Sequence, residues 1–87
     1  MRNAVRIDVS DNVATVLRDV SKRERIVWDE GSELVAREPI PEGHKVALVD
    51  IAEGQVVRKY GHPNGLAGHE IPAGSHVHTD NFAKEEG

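Results

Sequence analysis

Ile40-Pro41-Glu42-Gly43-His44-Lys45-Val46 is the stretch whose reading decides the fold, because its pattern, apolar-x-x-Gly-x-x-apolar, returns twice downstream. It recurs as Ile51-Ala52-Glu53-Gly54-Gln55-Val56-Val57 and as Ile71-Pro72-Ala73-Gly74-Ser75-His76-Val77. Val20-Ser21-Lys22-Arg23-Glu24-Arg25-Ile26 is a degraded fourth copy, with Arg23 where the others carry Gly. The first apolar residue anchors a short segment in the core. The next two residues turn, helped by the fixed φ of Pro41 or Pro72. Glycine takes a positive φ at low steric cost, and the chain leaves as a strand pinned by the last apolar residue. Repeated units of this kind predict an all-β fold of short strands and tight turns.

Outward from these turns, Val5-Arg6-Ile7-Asp8-Val9 alternates apolar and polar, as a half-buried strand does. Val13 to Val20 fits either a strand or one short helix, since Val13, Val16, Leu17 and Val20 also suit one helical face. Arg25 to Trp28 and Ser32 to Ala36 flank Asp29-Glu30-Gly31, a hairpin signature. Lys45 to Leu48, Val56 to Tyr60 and His76 to His78 read as further strands. His62 and His69, in the Gly-rich stretch from Gly61 to Gly68, read as loop residues.

Eighty-seven residues bound one domain over residues 1–87, with about 5–81 ordered and 82–87 a solvated tail. Trp28, Tyr60 and Phe82 are the whole aromatic set, so the core must be Val, Ile, Leu and Ala. The chain contains no cysteine to staple so small a core, and stabilisation by a larger subunit, a further domain or self-association is expected. A net charge of −4 with interspersed signs argues against a nucleic-acid surface. No apolar run resembles a leader or a membrane span, and a cytoplasmic location is expected.

Four segments in order carry a resemblance. They are Asp11-Asn12-Val13-Ala14, Ile40 through Ile51, Lys59-Tyr60-Gly61 and Val77-His78-Thr79-Asp80-Asn81. Together they resemble the amino-terminal SAF module of the altronate/galactarate dehydratase family, from about Val5 to Asn81. The resemblance implies a β-clip fold and a place beside a much larger catalytic component, as a fused module or a small subunit. It further implies a lyase that removes a group β to a carboxylate, water from sugar acids or sulfite from sulfolactate, with Fe²⁺ or Mn²⁺ assisting. The chain departs from the pattern at Asp80, where the family commonly carries a second histidine, at Asn64, and at Arg23.

Five histidines invite a metal reading. His76-Val77-His78 places both imidazoles on one strand face, and His78 and Asp80 share a face if the strand continues. Imidazole and carboxylate donors suit Mn²⁺, Fe²⁺ or Zn²⁺, which makes His78 and Asp80 the candidate metal ligands. The competing reading is a solvated strand end. His44, just after the turn glycine Gly43, is the candidate catalytic residue; its structural alternative is a hydrogen bond to a nearby carbonyl that locks the turn. Lys59 and Asn81 are candidate contacts to a small carboxylate substrate, and Asn81 could equally terminate its strand. Tyr60 reads as a core or interface aromatic. Elimination needs a base, an electrophile and an acid, more than this chain offers. It is expected to close over a site built by a larger component and to be non-catalytic alone. The competing class is a free-standing binding module for a small anion or a protein.

Overall fold

A computed structural model describes residues 2–78 and Phe82. The described residues are all strand and turn. The strands are β1 (Ala4–Val5), β2 (Val13–Val16), β3 (Arg25–Asp29), β4 (Ser32–Val35), β5 (Lys45–Ala47), β6 (Val56–Lys59), β7 (His62–Leu66) and β8 (His76–Val77). An antiparallel sheet runs in the order β1-β2-β5-β8, and β3-β4 and β6-β7 form separate hairpins. No helix is long and apolar enough to cross a membrane, among the described residues.

The choice left open at residues 13–20 resolves to strand. Val13–Val16 pairs with Lys45–Ala47, and Val20 bridges to Ile40. The strand expected over residues 5–9 shrinks to Ala4–Val5. Asp8 and Asp11 capture the backbone here: the Asp8 amide donates to Asp11 Oδ2 (3.0 Å), and the Asp11 amide to the Asp8 carbonyl (3.0 Å). Such side-chain bonds compete with a sheet ladder, and Ile7 and Val9 are left exposed. The expected loop at His62 is instead strand β7, across a two-residue turn in which Tyr60 (φ 57°) and Gly61 (φ 76°) are both left-handed. That is the type I′ geometry whose twist suits a hairpin.

All four heptapeptides form the same turn. Glu24, His44, Gln55 and Ser75 donate back to the carbonyls of Ser21, Pro41, Ala52 and Pro72, at 2.9–3.1 Å. The third turn residue is left-handed in every copy: Arg23 at φ 73°, Gly43 and Gly54 at 82°, Gly74 at 87°. Arg23 thus adopts the glycine conformation despite its Cβ.

The turns expose a duplication. Residues 16–46 and 47–77 align as two 31-residue halves in one register: Val20 with Ile51, Arg23 with Gly54, Ile40 with Ile71 and Gly43 with Gly74. Polar contacts repeat at that offset. Asp19 accepts from the Glu42 amide and Asp50 from the Ala73 amide, both at 2.8 Å. The clamped backbone also repeats, though its clamps are only nine residues apart: Asn3 holds Arg25 and Val27 on β3, and Asn12 holds their counterparts Val56 and Arg58 on β6. The core is doubled as well. Val16, Val20, Ile26, Ala36, Ile40 and Val46 lie in one buried cluster; Ala47, Ile51, Val57, Ala67, Ile71 and Val77 are their counterparts in the other. Each half therefore has its own small aliphatic core. Phe82, at the start of the expected tail, packs against the second.

Candidate functional site

A cleft of about 250 Å³ opens where the second half meets the sheet. Val13, Val57, Val77 and Phe82 form its apolar surface, and His44, Lys45, Lys59, Asn64 and His78 supply the polar groups. Each is placed by the repeat. His44 is the fourth residue of the Ile40 turn, whose amide is spent closing that turn. Lys45 follows on β5, opposite Val77 of β8. Lys59 ends β6, and Asn64 sits at the irregularity where β7 slips register against β6.

Strand alternation sets the histidines. Val77 is buried, so its neighbours His76 and His78 take the opposite face, with ring centroids 5.5 Å apart. His44 joins them across the sheet, its centroid 5.0 Å from His76 and 6.4 Å from His78. Its Nδ1 lies 2.8 Å from Nε2 of His76, so one imidazole donates and the other accepts. The carbonyl contact expected for His44 is replaced by this imidazole pair. Tyr60, expected in a core or interface, is 47% exposed, with Lys59 Nζ 5.1 Å from its ring centroid.

Burial, and then the charges of His44 and His78, hold His76 below the ordinary histidine range, against a smaller upward pull from Glu38. The folded state therefore binds this proton less readily than the unfolded chain. The His76 contribution is fully present above the ordinary pKa of about 6.5 and is lost as pH falls through that value toward the folded one. His76→Gln is expected to flatten the fall in stability between about pH 7 and pH 5. Thermal unfolding at stepped pH measures it, and an unchanged slope would assign the dependence elsewhere.

Lys45 is also held low, first by burial and then by the neighbouring Lys59. The described residues hold no set of three His, Cys, Asp or Glu side chains arranged to ligate a metal. His44, Lys59 and His78 are gathered at one cleft, while Asp80 and Asn81 lie outside the described residues. Two further groups belong to the site. The His76-Val77-His78 alternation was readable, but the partner of His76 lies 32 positions away. Lys45 stands at a variable position of the first heptapeptide, and its place in the cleft emerges only from the pairing of β5 with β8.

The duplication shows how these residues are distributed between the halves. In that register His44 and Lys45 of the first half match Ser75 and His76 of the second, Lys59 of the second half matches Trp28 of the first, and His78 stands 31 residues after Ala47. Ala47 is buried, and Trp28 packs on the first core. The cleft is therefore lined from both halves, by His44 and Lys45 from the first and by Lys59 and Asn64 from the second.

This defines a class: an all-β module of duplicated turns carrying one basic, histidine-rich cleft. The family model for the altronate/galactarate dehydratase SAF domain matches residues 2–85, and the chain belongs to that family. It is 38% identical over 81 residues to altronate dehydratase of Bacillus subtilis, covering 93% of this chain and 16% of that protein. It is 42% identical over 77 residues to altronate dehydratase of Escherichia coli, covering 88% of this chain and 15% of that protein. Against the (2R)-sulfolactate sulfo-lyase subunit alpha of Paracoccus pantotrophus it is 44% identical over 48 residues, 55% of this chain and 72% of that subunit. The chain thus spans about a sixth of the dehydratases it matches, and most of a separate lyase subunit.

Proposed function

We propose that this chain is the accessory module of a lyase acting on hydroxylated carboxylic acids of the altronate or galactarate kind, or on sulfolactate. It works with a larger component, fused to it or separate, in the cytoplasm. The observation that carries this reading is that His44, Lys45, Lys59 and His78 gather at one cleft of a chain matched over residues 2–85 by the altronate/galactarate dehydratase SAF domain.

The site offers proton transfer and anion binding. His44 has one ring nitrogen engaged by His76, which orients the imidazole and leaves its other nitrogen to take or give a proton. His76 is a positioning residue, its imidazole made harder to protonate by burial and by the neighbouring histidines. The apolar surface excludes water and strengthens every charge interaction in the cleft. The remaining groups for elimination would come from the larger component. A divalent ion, Fe²⁺ or Mn²⁺, would likewise be shared with the larger component.

A chimera tests this. The matched segment of the Bacillus subtilis altronate dehydratase is replaced by this chain, and altronate turnover is followed beside the chain alone. The chimera is expected to turn over altronate, the chain alone is not, and His44→Ala is expected to lower kcat by about 10²-fold or more, the usual scale of a lost acid–base group. An inactive but folded chimera, or whole-enzyme activity from the chain alone, would overturn the reading.

A further inference from the structure

We propose that Lys45 and Lys59 together form the subsite for the substrate's carboxylate, a specificity device resting on the reading above, with Asn64 and His44 placed to meet its hydroxyl groups. What points there is paired positive charge with no carboxylate partner among the described residues. The two ammonium groups belong to different strands, β5 and β6, yet face the same cleft. No carboxylate lines that cleft among the described residues, although the chain as a whole is net acidic at −4. Neither lysine is ion-paired with a described Asp or Glu; the ion pairs present belong to Arg18 and Arg25. Like charges side by side, away from full solvation, oppose folding. At the first-half position matching Lys59 stands Trp28, packed on the first core, so the fold does not require a lysine there. A bound anion would relieve this repulsion.

The shape of the cleft narrows the anion. A free volume of about 250 Å³ suits a small organic acid. Its apolar surface, from Val13, Val57, Val77 and Phe82, accommodates a carbon chain better than a compact, fully hydrated inorganic anion. Lysine supplies point charge rather than the planar fork of arginine, so hydroxyl recognition falls to the amide of Asn64 and the imidazole of His44.

The test is a titration of the 87-residue chain, carrying ¹³C-labelled lysine, with galactarate, followed by NMR beside parallel titrations with inorganic phosphate and the uncharged polyol galactitol. Galactarate is expected to shift the Lys45 and Lys59 side-chain signals and the His44 ring signals, and galactitol is not. Lys45→Met and Lys59→Met are each expected to weaken binding about tenfold, the scale of one lost charge-assisted contact. Lys22→Met, which removes the same charge from an exposed turn, should leave it unchanged. Amide spectra of the variants confirm that they remain folded. Three outcomes would each overturn the assignment: no galactarate binding, equal weakening by Lys22→Met, or phosphate binding as tight as galactarate. An active chimera in any of those cases would leave the accessory-module reading standing without this subsite.

Discussion

Gly74→Ala is expected to cost about 2–5 kcal/mol, a large share of the fold's stability, while the same change at the equivalent turns is expected to cost less than half of that. A Cβ on Gly74 would lie 2.5 Å from the carbonyl oxygen of Val35 and 3.2 Å from Cγ of Arg37, at a φ of 87°. The backbone there cannot yield easily, because Arg37 donates to the Gly74 carbonyl at 2.9 Å and Gly74 itself donates to Ala47 at 2.8 Å. Left-handed conformation costs an L-residue roughly 1–2 kcal/mol, and forced overpacking adds about 1–3 kcal/mol. A chain of this length has roughly 4–13 kcal/mol of stability in all. Gly43 and Gly54 share the left-handed φ but have open space around the missing Cβ, so Gly43→Ala and Gly54→Ala should lose only the conformational part, about 1–2 kcal/mol. Arg23→Gly runs the series backwards: the residue already sits at φ 73°, and glycine there should gain up to about 1 kcal/mol. Urea unfolding of the four variants checks the order. Equal losses at residues 43, 54 and 74 would show that the Val35 contact does not matter.

Why one turn is intolerant and its twin is not was invisible in the chain itself. The heptapeptide was legible because a left-handed residue at a fixed offset from two core anchors leaves a sequence mark. The 31-residue duplication was not, because the copies begin at 20, 40, 51 and 71 and become periodic only when taken in alternate pairs. Strand β7 escaped notice because His62-Pro63-Asn64-Gly65 lacks apolar alternation, and a proline is tolerated in a two-stranded hairpin, where it faces no second neighbour. The opposite error occurred over residues 5–9, where true alternation lost to the aspartates that turn the backbone away. For the site, His44, His78 and Lys59 could be singled out by residue type and turn context. Their convergence could not, because three-dimensional proximity over 32 positions depends on strand register.

The segments Asp11-Asn12-Val13-Ala14 and Lys59-Tyr60-Gly61, separate in the chain, meet at Asp11, and Asp11→Ala is the change expected to disconnect the cleft from the rest of the module. The carboxylate is buried and accepts three backbone amides: Asp8 at 3.0 Å, Tyr60 at 2.9 Å and Gly61 at 2.8 Å. Two of these belong to the type I′ turn that holds Tyr60 at a positive φ, a conformation that persists only where its surroundings enforce it. Alanine would leave the three donors to find other partners, and a single unsatisfied buried group costs about 1–3 kcal/mol. With water reaching part of the turn, a loss of roughly 2–4 kcal/mol follows. Lys59 is the residue just before the turn, so the damage reaches the cleft: hydrogen exchange should quicken across β6 and β7 while β3 and β4, built on the first core and clamped by Asn3, keep their protection. Asp11→Asn preserves one carbonyl acceptor and should retain part of the stability, giving an ordered series from Asp through Asn to Ala. Uniform loss of protection across both hairpins would mean that the two halves unfold as one unit, and that Asp11 serves the whole fold rather than the wall of the cleft.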